Sequence, residues 1–99
     1  MNVAKLLQQA HQAQEQMQRV LAGVEVEGSA GGGLVKVRLN GLKELRGVSI
    51  DAHALAGEDV GLLEDLVMAA WEDASRRLAD RTQQALAAMG LPAGLAGLA

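Results

Sequence analysis

From Val3 to about Ala22 the apolar side chains recur at alternating spacings of three and four: Val3, Leu6, Ala10, Ala13, Met17 and Val20, with Val24 next in the series. That heptad-like seam predicts an amphipathic helix. No Gly or Pro interrupts it before Gly23, which supplies a stop. The opposite face carries Lys5, Gln9, Gln12, Gln16 and Arg19, also at spacings of three and four. The period then changes to two. Val24, Val26 and Gly28 fall on one side of an extended chain, with Glu25 and Glu27 on the other. Val35, Val37 and Leu39 alternate with Lys36 and Arg38, and Val48-Ser49-Ile50-Asp51 alternates again.

Between the first two strand patterns lies Ser29-Ala30-Gly31-Gly32-Gly33. A two-residue turn at Gly31-Gly32 would set Glu27 opposite Lys36, Glu25 opposite Arg38 and Val26 opposite Val37. Charge and apolar pairing then agree on one register. Asn40-Gly41 marks a second turn. The prediction is a three-stranded antiparallel meander with one apolar face.

A connector from Ala52 to Gly57 leads into a second helix. It starts near Glu58 or Asp59, whose charges suit a helix N-terminus, and runs to about Met89. Leu63, Val67, Ala70, Ala74, Leu78, Ala85 and Ala88 mark its apolar face. Roughly thirty residues at ~1.5 Å each make a rod of about 45 Å, longer than three short strands can cover. Its distal half must project into solvent or meet another chain. Residues 1–89 thus read as a single α+β domain of order α-β-β-β-α, with two long helices. The low-complexity stretch 90–99 is expected to be a disordered tail.

Composition sharpens this picture. The 99 residues are 49% hydrophobic, yet Trp71 is the sole aromatic. A core of small aliphatic side chains buries little area, and a domain of this size is marginal alone. The helix seams could pack on each other, on a second copy, or both. A homodimer meets the burial requirement with the fewest assumptions; the alternative is a monomer with frayed helix ends. The absence of cysteine excludes disulfides and thiolate metal sites. No stretch approaches the ~20 apolar residues that span a bilayer. Met1 to Lys5 run into the first helix without the apolar run of a signal peptide. A soluble cytoplasmic protein without a membrane partner is expected.

No catalytic constellation emerges. His11 lies on a predicted helix and His53 in a loop, neither beside a cysteine, and Ser29, Ser49 and Ser75 lack a G-x-S-x-G context. Glu64, Asp65, Glu72 and Asp73 read as a solvated helix face rather than a metal site. The Gly-rich segment 28–33 joins two strands and is not followed by Lys-Ser or Lys-Thr, so it is a turn and not a phosphate loop. Trp71 among alanines is expected to be a packing anchor, which argues against base stacking on single strands and against an aromatic sheet that reads RNA. A binding protein is expected, not an enzyme, with no cofactor, metal or small-molecule substrate.

The formal charge is -3, from nine Lys and Arg against twelve Asp and Glu. This counts against a nucleic-acid partner, because counterion release needs clustered cations. The distribution is uneven, however. Arg76, Arg77 and Arg81 lie within two turns of the second helix, followed by Gln83 and Gln84, whereas the half nearer the connector is acidic. These arginines fall in the part expected to protrude. A rival reading makes them solvated decoration: Glu72 with Arg76 and Asp73 with Arg77 are spaced i,i+4, worth ~0.2–0.5 kcal/mol per pair. Pairing two chains would double the basic set, giving about six to ten phosphate contacts at most and weak, salt-sensitive binding. Rod ends folded back or buried against neighbours, with the arginines sequestered by carboxylates, would remove that basis.

Gly33-Leu34-Val35-Lys36-Val37, Asn40-Gly41, Val48-Ser49-Ile50-Asp51, the run from Leu62 to Ala70, and Asp73-Ala74 together resemble the YbaB/EbfC nucleoid-associated proteins. The resemblance covers nearly the whole chain, including the Gln- and Met-containing first helix and the Gly-Leu-Pro tail. It implies two chains joined through their sheets, with paired helices protruding as tweezers. It further implies binding of double-stranded DNA with low sequence specificity at the bacterial nucleoid, in nucleoid organisation and in gene regulation or recombination and repair. Carried over to this chain, the DNA-contacting set is Lys5, Gln9, Gln12, Gln16 and Arg19 on the first helix and Arg76, Arg77, Arg81 and Gln84 on the second. The chain departs from the pattern in its scarcity of Lys, which implies low affinity or higher assembly of several dimers on DNA. The alternative function is a helical-tip adaptor that binds a protein partner and has little affinity for DNA.

Overall fold

The computed structural model describes residues 2–53, 57 and 60–90. Helix α1 spans Val3–Gly23. The Asn2 side chain accepts a hydrogen bond from the Lys5 amide at 3.2 Å, satisfying one of the free donors of the first turn. Val24 leaves the helix in extended conformation, φ -77° and ψ 128°. Strands β1 (Glu25–Ala30), β2 (Val35–Asn40) and β3 (Leu45–Ile50) follow, then helix α2 (Val60–Ala88). The sheet is antiparallel, in the order β1-β2-β3. The predicted α-β-β-β-α order, the α+β class and the meander are all present. The start expected at Glu58 or Asp59 and the tail beyond Gly90 lie outside the described residues.

The register of the first hairpin differs from the predicted one by two residues. Ser29 and Ala30 belong to β1, and the pairs are Glu25 with Asn40, Val26 with Leu39, Glu27 with Arg38, and Ala30 with Val35. The turn is therefore Gly31 to Leu34, and Gly31, Gly32 and Gly33 all take positive φ (66°, 69° and 97°). Three successive left-handed residues are costly for anything but glycine. A shift of two keeps every side chain on its face, so Val24, Val26, Gly28, Val35, Val37 and Leu39 are all buried, as the alternation predicted. Glu25 still reaches Arg38 diagonally, Oε1 to Nη1 at 3.7 Å.

The second turn follows Asn40-Gly41 as expected. Asn40 is 5% exposed, and its side chain closes the turn. Its Oδ1 accepts from the amides of Leu42 and Glu44, each at 3.0 Å, and its Nδ2 donates to Glu44 Oε1 at 2.8 Å. The neighbouring Gly41 amide donates to the carbonyls of Leu21 (2.9 Å) and Val24 (3.0 Å). That junction fixes the direction in which α1 leaves the sheet.

Helix α2 packs across β1 and β2. Ala70, Ala74 and Leu78 join Val24, Val26, Val35, Val37 and Leu39 in one core. Gly28 makes the close approach possible: a Cβ there would fall onto the Ala74 amide nitrogen and the Ala70 carbonyl. Further along α2, Thr82 and Leu86 are also buried, whereas Ala88, expected on the apolar face, is exposed. The heptad seam of α1 is mostly bare. Every residue from Asn2 to Gln16 is exposed, and Leu21 is the helix's only buried residue. The molecule measures 68 × 19 × 17 Å with a radius of gyration of 18.0 Å, against ~13 Å for a compact chain of this length.

Strand β3 is left uncovered. Leu45, Val48 and Ile50 pair with Leu39, Val37 and Val35 and so share their face, yet they are 53, 47 and 43% exposed. Helix α2 stops short of them. Beside this strip lies a cleft of about 400 Å³ lined by Leu39, Lys43, Trp71, Ser75, Leu78, Ala79 and Thr82.

Candidate nucleic-acid interface

The face of α1 that carries Lys5, Gln9, Gln12, Gln16 and Arg19 is open to solvent along its whole length. A helix advances 100° per residue, so the spacings of three and four place these five side chains on one stripe of about 21 Å. Glu15 interrupts the positive character of that stripe. Its carboxylate lies 2.9 Å from His11 Nε2 and 3.8 Å from Arg19 Nη2. Both contacts are spaced i,i+4, so the sequence itself carries their signal.

On α2 the arginines are not at the protruding end. Because Gly28 seats Ala70 and Ala74 on β1, the middle of the helix lies over the sheet, and Arg76 and Arg77 are carried there with it. Arg77 and Arg81 line a shallow groove beside β1 with Glu25, Val26, Glu27 and Asp80. Gln84 lies farther out with Gln83, Ala87 and Asp80. The four residues of the α2 set are all exposed. Helices α1 and α2 meet only sparsely, so their two polar sets form separate surfaces of one protomer.

Asp73 organises the α2 surface. One carboxylate oxygen, Oδ2, accepts from the Ser29 amide at 2.9 Å and from Arg77 Nε at 3.1 Å. The other, Oδ1, lies 3.5 Å from Arg76 Nη2. Of the two ion pairs expected from spacing, Asp73 with Arg77 forms, whereas Arg76 turns to Asp73 instead of Glu72. The Ser29 amide, followed by the hydrogen bond from Arg77, holds the Asp73 carboxyl below its ordinary pKa, with both arginine charges adding to the effect. The carboxylate is therefore ionised at neutral pH. The Ser29 contact bridges 44 positions of sequence, and no local pattern announces it.

The arginines remain accessible in spite of these pairs. Arg76 and Arg77 side chains are 71 and 61% exposed, and exposed ion pairs contribute only ~0–1 kcal/mol net. Arg81 has no carboxylate partner among the described residues. Glu64, Asp65, Glu72 and Asp73 do not converge: no group of three or more metal-ligating side chains occurs among the described residues. Nor is any described helix long and apolar enough to cross a membrane.

Residues 1–93 match the model of the YbaB/EbfC DNA-binding family. The chain belongs to that family. A nucleoid-associated protein of Xanthomonas euvesicatoria pv. vesicatoria is 46% identical, over 95% of this chain and 93% of that protein. A nucleoid-associated protein of Rhodopseudomonas palustris is 44% identical, over 91% and 92%. The crystal structure of an uncharacterized protein from Helicobacter pylori superimposes with a TM-score of 0.61 at 26% identity, covering 80% of this chain and 92% of that one. Of the five cations in the two helical sets, three, Arg19, Arg76 and Arg77, face a carboxylate within 4 Å.

Proposed function

We propose that this protein is a nucleoid-associated homodimer that binds double-stranded DNA with little sequence preference and catalyses no reaction. The observation that carries the proposal is the exposure of both helical sets on an elongated frame. Lys5, Gln9, Gln12, Gln16 and Arg19 on α1, and Arg76, Arg77, Arg81 and Gln84 on α2, all face solvent. Arg and Lys contacts to phosphate position a protein on a duplex without reading sequence. The single Trp71 cannot provide a stacking platform for unpaired bases. Membership of a DNA-binding family supports DNA as the partner, and the names of the relatives support a place at the nucleoid.

The dimer rests on β3. The half-exposed Leu45, Val48 and Ile50, together with the cleft beside Trp71, form one apolar strip that a second copy would cover. Dimerisation also doubles the five cations of the helical sets, to the order of ten phosphate contacts at most. Roles in nucleoid organisation, and in gene regulation or recombination and repair, would follow from coating DNA in this way. So would higher assembly of dimers along a duplex.

The test is a titration of a labelled random-sequence duplex at ~50 and ~200 mM salt. Six to ten phosphate contacts predict a loss of ~10³–10⁵ in affinity between the two. Replacing Arg76, Arg77 and Arg81 by Ala should weaken binding and flatten that dependence. Unchanged affinity in a folded triple variant refutes the assignment of the α2 set. The adaptor reading is favoured by the exposed apolar Val3, Leu6 and Leu7 on α1, which are 64, 49 and 66% accessible. It predicts little DNA affinity at either salt concentration.

A further inference from the structure

The placement of Asp73 carries a consequence for selectivity, which rests on the DNA-binding reading above. We propose that Asp73 is a built-in counter-anion that occupies Arg76 and Arg77 until a phosphate backbone displaces it, and so sets the charge density a nucleic acid must present. The two kinds of partner differ in their freedom to move. Asp73 has a short side chain fixed to a helix, and its Oδ2 is tied to the Ser29 amide of β1 at 2.9 Å. The arginines are long and largely exposed, with Nε of Arg77 at 3.1 Å and Nη2 of Arg76 at 3.5 Å from the carboxylate. When phosphate arrives, the guanidinium groups swing outward and the carboxylate stays. It keeps the Ser29 hydrogen bond, so it is not left without a donor.

An isolated phosphate meets an occupied pair. A duplex presents one charge per ~1.7 Å of axis, and can draw away Arg76 and Arg77 together while the unpaired Arg81 anchors it. The resident carboxylate thus weakens binding to every anion, and an anion that engages all three arginines at once retains the most affinity. A unit charge held several ångströms from a phosphate in a water-like dielectric changes affinity by about threefold. Two protomers on one duplex make that roughly tenfold.

Asp73→Asn removes the charge and keeps an oxygen acceptor for the Ser29 amide. The expected result is duplex binding about tenfold tighter at ~50 mM salt, with a gain also for a labelled mononucleotide. In a background of Arg76→Ala and Arg77→Ala the same substitution should give no more than the small gain of a changed net charge. Equal gains in both backgrounds overturn the proposal, as does unchanged or weaker binding by a variant whose circular dichroism is native. If the two alanine replacements alone leave affinity unaltered, the DNA-binding assignment of these arginines fails and the inference falls with it. If they weaken binding while Asp73→Asn does not strengthen it, only the inference fails. NMR of the unmodified protein gives an independent readout. On saturation with duplex the Arg77 side-chain Nε–H signal should shift while the Ser29 amide holds its position; an unmoved Arg77 signal, or a Ser29 amide released with it, overturns the proposal.

Discussion

Gly28 carries the contact that places α2, and replacing it with Ala tests the architecture directly. The new Cβ would fall onto the Ala74 amide nitrogen and the Ala70 carbonyl, and would stand 2.6 Å from Ala74 Cα, where ordinary contact begins at 3.4 Å. The obstacle is helix backbone, so no side chain can rotate away. α2 must retreat by about 1 Å, and a gap of that size forfeits a quarter to a half of the dispersion energy across the contact. Overpacking of this kind typically costs ~1–3 kcal/mol, and a backbone clash belongs at the upper end. With a urea dependence of about 1.5 kcal/mol per M for a small domain, the midpoint should fall by ~2 M. The control is Gly32→Ala, where φ is 69° but nothing lies within 4 Å of the added methyl. It should cost only the left-handed backbone strain, ~1–2 kcal/mol. Both are to be compared with the parent at one protein concentration, because the proposed dimerisation would make apparent stability depend on it. A Gly28→Ala midpoint within ~0.3 M of the parent refutes the close approach of α2 to β1.

Other outcomes follow from the same geometry. Gly41→Ala places a methyl against the Leu21 carbonyl, 2.8 Å from its carbon, and should cost ~1–3 kcal/mol; faster hydrogen exchange at the end of α1 would report that the junction has loosened. Val48→Asp puts a charge in the middle of the uncovered β3 strip and should leave the fold intact while sedimentation shows a monomer; a variant that still sediments as a dimer places the interface elsewhere. Trp71, 42% exposed beside the cleft, should redden in fluorescence on dilution through the dissociation range, and a spectrum independent of concentration counts against its burial by a second copy. The lowered pKa of Asp73 fixes the sign of a pH effect. Its stabilising contribution is complete above the ordinary carboxylate pKa and is lost as pH falls through the lower folded-state value. Stability curves of the parent and of Asp73→Asn should therefore differ at neutral pH and converge in acid; a constant gap across the range contradicts the role of the Ser29 contact.

The candidate site was only half legible in the chain. The stripe from Lys5 to Arg19 and the cluster Arg76, Arg77, Arg81 follow from spacing, because a helix converts sequence distance into surface position by a fixed rotation. Where those stripes sit relative to the sheet does not follow. A pattern of apolar residues running from Leu63 to Ala88 shows which face of α2 is inward but not which of its turns meets the strands. The glycine at position 28 decides that, and it moves the arginines from the free end to the flank of β1. The remaining partner of their carboxylate depended on it too: Asp73 could accept from Ser29 only once the helix had settled on the strand.

Local periodicity was enough to set the kind and order of the elements and the inward face of each strand. Periods of 3.6 and 2 are local properties, written in the alternation of Val24 to Gly28 and Val35 to Leu39 as plainly as in the seam of α1. The tertiary structure decided the hairpin register, the bare β3 strip and the Asp73 junction. A two-residue slip leaves every side chain on the same face, so hydrophobic pattern cannot distinguish the predicted pairing of Glu27 with Lys36 from the observed pairing with Arg38. The turn of three left-handed glycines resolved it. Contacts such as Asp73 to Ser29 arise only when distant segments have packed, since their free energy depends on a distance that no neighbouring residue encodes.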